Sequence, residues 1–220
     1  RQGAMLVIDA CNSTSSVALD FLRAKYGCVF GVVEPGVREA VRLTRNKRIG
    51  LIATEATVNS NAHRLLAASF DPEVQFFAQA CPKFVPFVEA GIFNGTEVLS
   101  TAEDYLCSLK REGIDTLILG CTHYPYLVPV IRKVIGDGVM LVDPAAETAR
   151  EIRRYLYANN LLEARREKQS RFHFFVSGDP LAFRNNLKRL FKYENPTTIT
   201  PVRWVKDELT GTERLLGQGE

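Results

Sequence analysis

The chain has 220 residues, 46% hydrophobic and 24% charged, with a net charge of +3, a composition that supports one or two packed cores and argues against disorder. The small charge excess is spread along the chain, which excludes a nucleic-acid footprint, and no apolar run approaches the roughly 20 residues that cross a bilayer. Five cysteines with no CxxC pair fit neither a disulfide framework nor a structural zinc site, so reduced thiols, no metal and a cytoplasmic protein are expected. Arg1, Gln2, Gly3 and Ala4 do not lead into a signal-peptide apolar region. The one concentration of charge, residues 150–168, mixes acids with bases and reads as a solvated helix face followed by a loop.

Short β-rich apolar runs alternate with segments of helical period, the pattern of βαβ units around a parallel sheet, so the fold class is α/β. The first strand is expected over residues 5–8. A helix beginning near Asn12 or Ser13 is then expected to turn Val17, Leu19, Phe21 and Leu22 toward a core. Pro35 and Gly36 open a second helix with Val37, Ala40, Val41 and Leu43 as its apolar stripe. A strand over 49–53, a threonine-rich turn, a helix over 60–69 and a strand over 74–80 follow. Ser100 with Glu103 reads as a capping box for a helix running to about residue 111. Then come a strand at 116–119, a turn and helix to 135, a strand at 139–142 and a helix at 144–158. The strand 172–176 and the helix 180–191 are the last clear elements.

Two segments resemble each other. VIDACNST (residues 7–14) and LILGCTHY (residues 117–124) both run from apolar strand through a small residue and a cysteine to polar residues at a helix start. About one α/β domain's length separates Cys11 from Cys121, which suggests two similar lobes. Ligands of open α/β sheets bind beyond the carboxyl ends of strands, where both cysteines are expected. A helix start also favours thiolate over thiol, so a lowered thiol pKa is anticipated at Cys11 and, by the same argument, at Cys121. Two thiols facing one ligand from opposite sides could remove a proton from a tetrahedral carbon on one face and deliver one on the other. Competing readings are a hydrolase in which His123 activates Cys121 and a metal site, although no acid partner, oxyanion motif or zinc-ligand spacing points to either.

ACNST (residues 10–14), ACPKFVPFVE (residues 80–89) and GCTHYP (residues 120–125) resemble glutamate racemase, in that family's order and approximate spacing. The resemblance spans about residues 5–191. It implies a two-lobed α/β enzyme that needs no cofactor and no metal, inverts glutamate with two cysteine thiols, supplies D-glutamate for peptidoglycan and works as a homodimer. It also implies discontinuous lobes, with 1–34 and 144–220 in the first and 35–143 in the second.

By the same resemblance Cys11 is the thiol that deprotonates D-glutamate and Cys121 the one that deprotonates L-glutamate. His123 assists Cys121, and Glu89 is the carboxylate associated with that histidine. Asn12, Ser13 and Thr122 fall where the family holds the substrate's amino and carboxylate groups. IATEATVNS (residues 52–60) resembles the family's threonine-rich loop, with Thr54 and Thr57 at its two threonine positions; read alone, each threonine equally suits a turn or a helix cap.

Departures accompany the matches. The Asp-Ser-Gly strand end and the Pro-Tyr-Gly turn that precede the first cysteine motif in the family are not in these residues. Asp9 stands where an apolar strand residue is usual, Ser13 replaces a threonine, and the residues after about 201 have no counterpart. Alternatives are a racemase for aspartate or another acidic amino acid, and a non-catalytic remnant that binds a partner or ligand. Cys28, Cys81 and Cys107 are expected to pack in the interior. His63 and His173 read as surface or satisfied core histidines, while Tyr193 and Trp204 are either partner contacts or anchors of the tail.

Overall fold

The computed structural model describes residues 4–162, 172–191, 198–205 and 208–211. The chain divides into two compact units, residues 1–163 and 164–220.

The larger unit opens with β1 (Val7–Asp9), α1 (Asn12–Val17), α2 (Leu19–Tyr26), β2 (Val29–Gly31) and α3 (Val33–Leu43). It continues through β3 (Arg48–Ala53), α4 (Glu55–Asn59), α5 (Ala62–Phe70), β4 (Gln75–Ala80), α6 (Phe84–Ala90) and α7 (Thr96–Arg111). Then come β5 (Thr116–Gly120), a 3-10 turn (Tyr124–Leu127), α8 (Val128–Ile135), β6 (Met140–Val142) and α9 (Pro144–Ala158). Strands β1 and β2 form a parallel pair, and the larger sheet has the all-parallel order β4-β3-β5-β6. Parallel strands covered on both faces read as continuous apolar runs rather than as alternation. Accordingly every residue of β5, and every residue of β3 after Arg48, is buried.

Helix α3 turns Val37 and Ala40 onto this sheet, where they meet Ile49, Leu51, Ile118 and Val142, and Val41 and Leu43 are packed at the margin of the same core. On the other flank of α3, Gly36 lies so close to Pro144 of α9 that an added Cβ would stand 2.8 Å from its ring.

Several boundaries and faces differ from the sequence reading. The first strand begins two residues later, and ends one later, than its apolar run suggested. The helix after it breaks at Ala18 and turns inward the stripe Asn12, Ser15, Leu19 and Leu22, which leaves Val17 and Phe21 exposed. The reason lies in Gly31 of β2, where an added Cβ would stand 2.5 Å from Leu19 and 3.1 Å from the Ser15 hydroxyl, so this stripe has the closest approach to the strand. The threonine-rich turn is itself the short helix α4, with Thr54 as its N-cap accepting from Thr57 N–H. Ser100 is inside α7, which starts a turn earlier because Val98 is fully buried there. Cys107 is exposed; it sits about 100° around the helix from Leu106, while Leu109 shares Leu106's buried face. Cys81 is buried and Cys28 half-buried.

In the smaller unit β7 (His173–Val176) pairs parallel with β8 (Thr198–Val205), which pairs antiparallel with β9 (Glu208–Gly211), and α10 (Pro180–Phe191) joins β7 to β8. These last two strands were not foreseen. His173 is exposed, bonded through Nε2 to Thr200 Oγ1 at 2.8 Å. Tyr193, the Trp204 side chain and the charged stretch beyond residue 162 lie outside the described residues. Among the described residues no helix is long and apolar enough to cross a membrane.

Candidate active site

The register of the larger sheet brings its carboxyl ends level. Ala53 of β3 is paired with Ala80 of β4 on one side and with Gly120 of β5 on the other. The next residue on each strand is therefore Thr54, Cys81 or Cys121, three neighbouring positions along one rim. Cys81 and Cys121 flank the central strand from opposite sides, about two strand spacings apart, too far for a disulfide.

Cys11 reaches the same rim from β1. It is the exposed N-cap of α1, and hydrogen bonds tie that helix to the β3 end and to α5. Ser13 Oγ lies 2.8 Å from Thr54 Oγ1 and 3.0 Å from Thr57 Oγ1, and the two threonine hydroxyls are 3.1 Å apart, which closes a triangle of hydroxyls. Asn12 is buried, with Oδ1 3.3 Å from Nε2 of buried His63 on α5. The turn holding Cys11 is braced by Asp9, whose carboxylate accepts the Cys11 N–H at 3.3 Å and lies 3.0 Å from the Ser15 hydroxyl.

Around Cys121 the partners come from two elements. Its sulfur lies 3.7 Å from His123 Nδ1, and His123 Nε2 lies 2.7 Å from Glu89 Oε1 at the end of α6. A carboxylate can only accept, so Nε2 carries a proton; in the neutral imidazole Nδ1 then has a lone pair facing the thiol. Such an arrangement of carboxylate, imidazole and thiol is chemically suited to moving a proton on and off sulfur. Thr122 is exposed, with its hydroxyl 3.4 Å from His123 Nδ1.

The expectation of a lowered pKa fails at Cys121. Burial pushes this thiol up; the His123 backbone N–H opposes that shift, and the charge of Cys11 adds to it. The physical cause is desolvation of the thiolate behind the rim, which the one backbone donor does not offset. Negative charge on the Cys11 sulfur therefore works against ionisation of Cys121. Labelling of Cys121 by iodoacetamide, followed by peptide mass spectrometry, is accordingly expected to be slower at neutral pH than in the urea-unfolded chain. Its rate should still be climbing above pH ~8.5, where an ordinary thiol is half ionised. Cys11→Ser should move the curve to lower pH. Equal labelling rates in folded and unfolded chain at neutral pH would refute the raised thiol.

Sequence reasoning passed over Ser15 and read His63 only as a surface or satisfied core histidine. Neither belongs to a motif, and only the helical spacing of Ser15 from Asn12 hinted that the two share a face.

The fold and site define an α/β protein with a cysteine after each of two strands, β1 and β5, one of them hydrogen-bonded to a histidine–carboxylate pair. The sequence profile of the Asp/Glu/hydantoin racemase family matches residues 1–152, and the chain belongs to that family. It is 44% identical over 184 residues to the glutamate racemase of Corynebacterium diphtheriae, covering 83% of this chain and 69% of that protein. Among solved structures, the glutamate racemase of Francisella tularensis in complex with D-glutamate superposes with a TM-score of 0.82 at 32% identity, over 93% of this chain and 74% of the other. An isoform from Bacillus anthracis gives 0.83 at 30% identity, over 91% and 73%.

Proposed function

We propose that this chain interconverts L- and D-glutamate by two-base proton transfer at Cα, without a cofactor, and so supplies D-glutamate for peptidoglycan synthesis in the cytoplasm. The observation that carries the reading is geometric: Cys11 caps α1, which Ser13 bonds to Thr54 at the end of β3, and Cys121 follows the adjacent strand β5 with His123 and Glu89 hydrogen-bonded behind it, so that two thiols stand at one rim, one of them with a route for its proton. The relatives' shared name supplies the substrate.

In this reading D-glutamate presents its Cα proton to Cys11. The Cys11 thiolate takes that proton, and the electron pair remains on the α-carbon, delocalised into the carboxylate. The Cys121 thiol then gives its proton to the opposite face, forming the new C–H bond and leaving L-glutamate. Sulfur protonation is now reversed, so a further turnover in the same direction requires Cys121 to regain a proton through His123 and Glu89 while Cys11 releases one. L-glutamate runs the same steps backward from Cys121.

Asn12, Ser13, Thr54, Thr57 and Thr122 are the hydrogen-bonding groups that seat the substrate's carboxylates and amine. Residues 35–143 make the lobe that carries Cys121, and the working form is a homodimer.

The test is solvent deuterium incorporation at Cα, followed by proton NMR with L- and D-glutamate separately and with aspartate as the comparison. Exchange of both glutamate enantiomers well above that of aspartate is the expected result. Faster exchange of aspartate would overturn the substrate, and no exchange of any acidic amino acid would overturn the activity.

A further inference from the structure

His63 is buried to 1% exposure, yet its Nδ1 has no hydrogen-bond partner among the described residues. A buried, unpaired ring nitrogen carries a desolvation penalty, and a leucine or phenylalanine would fill the same space without it. The other ring nitrogen explains what is gained. Nε2 lies 3.3 Å from Asn12 Oδ1, an atom that can only accept, so the bond requires the neutral tautomer with the proton on Nε2. Burial favours the neutral form by pushing the imidazole down to about 4. The opposite arrangement, with the Asn12 amide turned over, would leave Nδ1–H as a buried unpaired donor, which folded proteins avoid more strictly than an unpaired acceptor.

Fixing Oδ1 also fixes the rest of the amide. The Asn12 Nδ2 has no hydrogen bond among the described residues and is not one of their fully enclosed polar atoms, so, although Asn12 is buried, this nitrogen keeps some exposure and has donor capacity to spare next to Cys11. The same helix is already pinned one residue later by Ser13 on Thr54 and Thr57. What that triangle leaves undetermined is the rotation of the Asn12 side chain, and His63 supplies the missing constraint.

We infer that His63 is a positioning residue: it never touches substrate, and it locks the Asn12 amide with its N–H groups turned away from the imidazole, so that Asn12 donates to a ligand oxygen. The inference deepens the racemase reading and rests on it for the identity of that ligand, whereas the imidazole–amide pair is testable without it.

Nitrogen-15 NMR of the glutamate-free chain, with the His63 imidazole assigned by its loss in His63→Phe or His63→Gln, should show Nε2 protonated and Nδ1 bare at neutral pH. In steady-state kinetics His63→Phe should raise KM for D-glutamate about three- to tenfold, the worth of one hydrogen bond, with kcat changed less than about twofold. His63→Gln, whose amide nitrogen can donate to Asn12 Oδ1, should recover most of that loss. In an Asn12→Ala background His63→Phe should have no further effect, because the group it orients is gone. A proton on Nδ1 instead, or an undiminished KM effect of His63→Phe in the Asn12→Ala background, would overturn the inference. A wild-type chain that held the Nε2–H tautomer but exchanged no glutamate would overturn the racemase reading and leave the pair standing.

Discussion

Cys121→Ser is expected to lower glutamate racemisation by about 10²- to 10⁴-fold in both directions, the usual worth of a general acid–base group. A serine hydroxyl has nearly the size of the thiol but does not ionise in the same range, so it can serve neither as base for L-glutamate nor as a matched acid for D-glutamate. Circular dichroism of the product mixture measures the inversion. Deuterium incorporation separates the halves: exchange starting from D-glutamate, whose proton is assigned to Cys11, should suffer less in Cys121→Ser than exchange starting from L-glutamate. Cys11→Ser should show the mirror image. Wild-type racemisation in either variant would eliminate the two-thiol assignment. An equal loss of both exchange reactions in both variants would instead indicate that the thiols act on one face.

Gly120→Ala should destabilise the chain by about 1–3 kcal/mol through overpacking. An added Cβ would stand 2.6 Å from Leu51 Cδ1, 2.9 Å from the Ile52 carbonyl oxygen and 3.0 Å from Ala53 Cβ. The leucine tip could rotate aside, but the carbonyl belongs to β3, hydrogen-bonded to strands on both sides, and cannot withdraw without disturbing the register. The strand that yields carries Cys121 at its next residue, so activity should fall together with stability. Thermal unfolding compared with Gly138→Ala is the measurement, since an added Cβ at Gly138 meets nothing within 4 Å. For a chain of this size the loss corresponds to a melting point lower by roughly 2–12 °C. An unchanged melting temperature for Gly120→Ala would mean that β3 and β5 do not approach as closely as described.

The close approach at Gly120 illustrates where sequence reading stops. A small residue before the second cysteine is visible in the string GCTHYP; that glycine is demanded by a carbonyl some 70 positions away is not. Helix α7 shows the converse failure. Ser100 and Glu103 form a plausible capping box, yet burial of Val98 draws the helix one turn further back, because tertiary contact outweighs a cap worth about 1 kcal/mol. The paired strand of β1 went unread for a related reason: β2 has three residues, too few for periodicity to separate it from any other short apolar run.

The catalytic candidates divide along the same line. Cys11 and Cys121 were legible as strand-end cysteines from apolar runs and a repeated local pattern, and Glu89, His123, Thr54 and Thr57 came from motif resemblance. The direction in which Cys121 shifts was not legible, because the helix-start argument is local whereas desolvation is set by everything packed around the sulfur. His63, read as a surface or satisfied core histidine, is buried with one ring nitrogen unpaired; nothing in its neighbourhood marks it, and its partner Asn12 lies 51 residues away.

By itself the sequence determined the alternation of strands and helices, the identity of the central β3 and β5, and the arrival of a cysteine at the end of two strands, since these depend on residue period and local propensity. Only the tertiary structure decided which side chains meet along the rim, which face of α1 turns inward and how strongly Cys121 holds its proton. Hydrogen bonds between distant residues and the exclusion of water exist only once the chain has closed on itself.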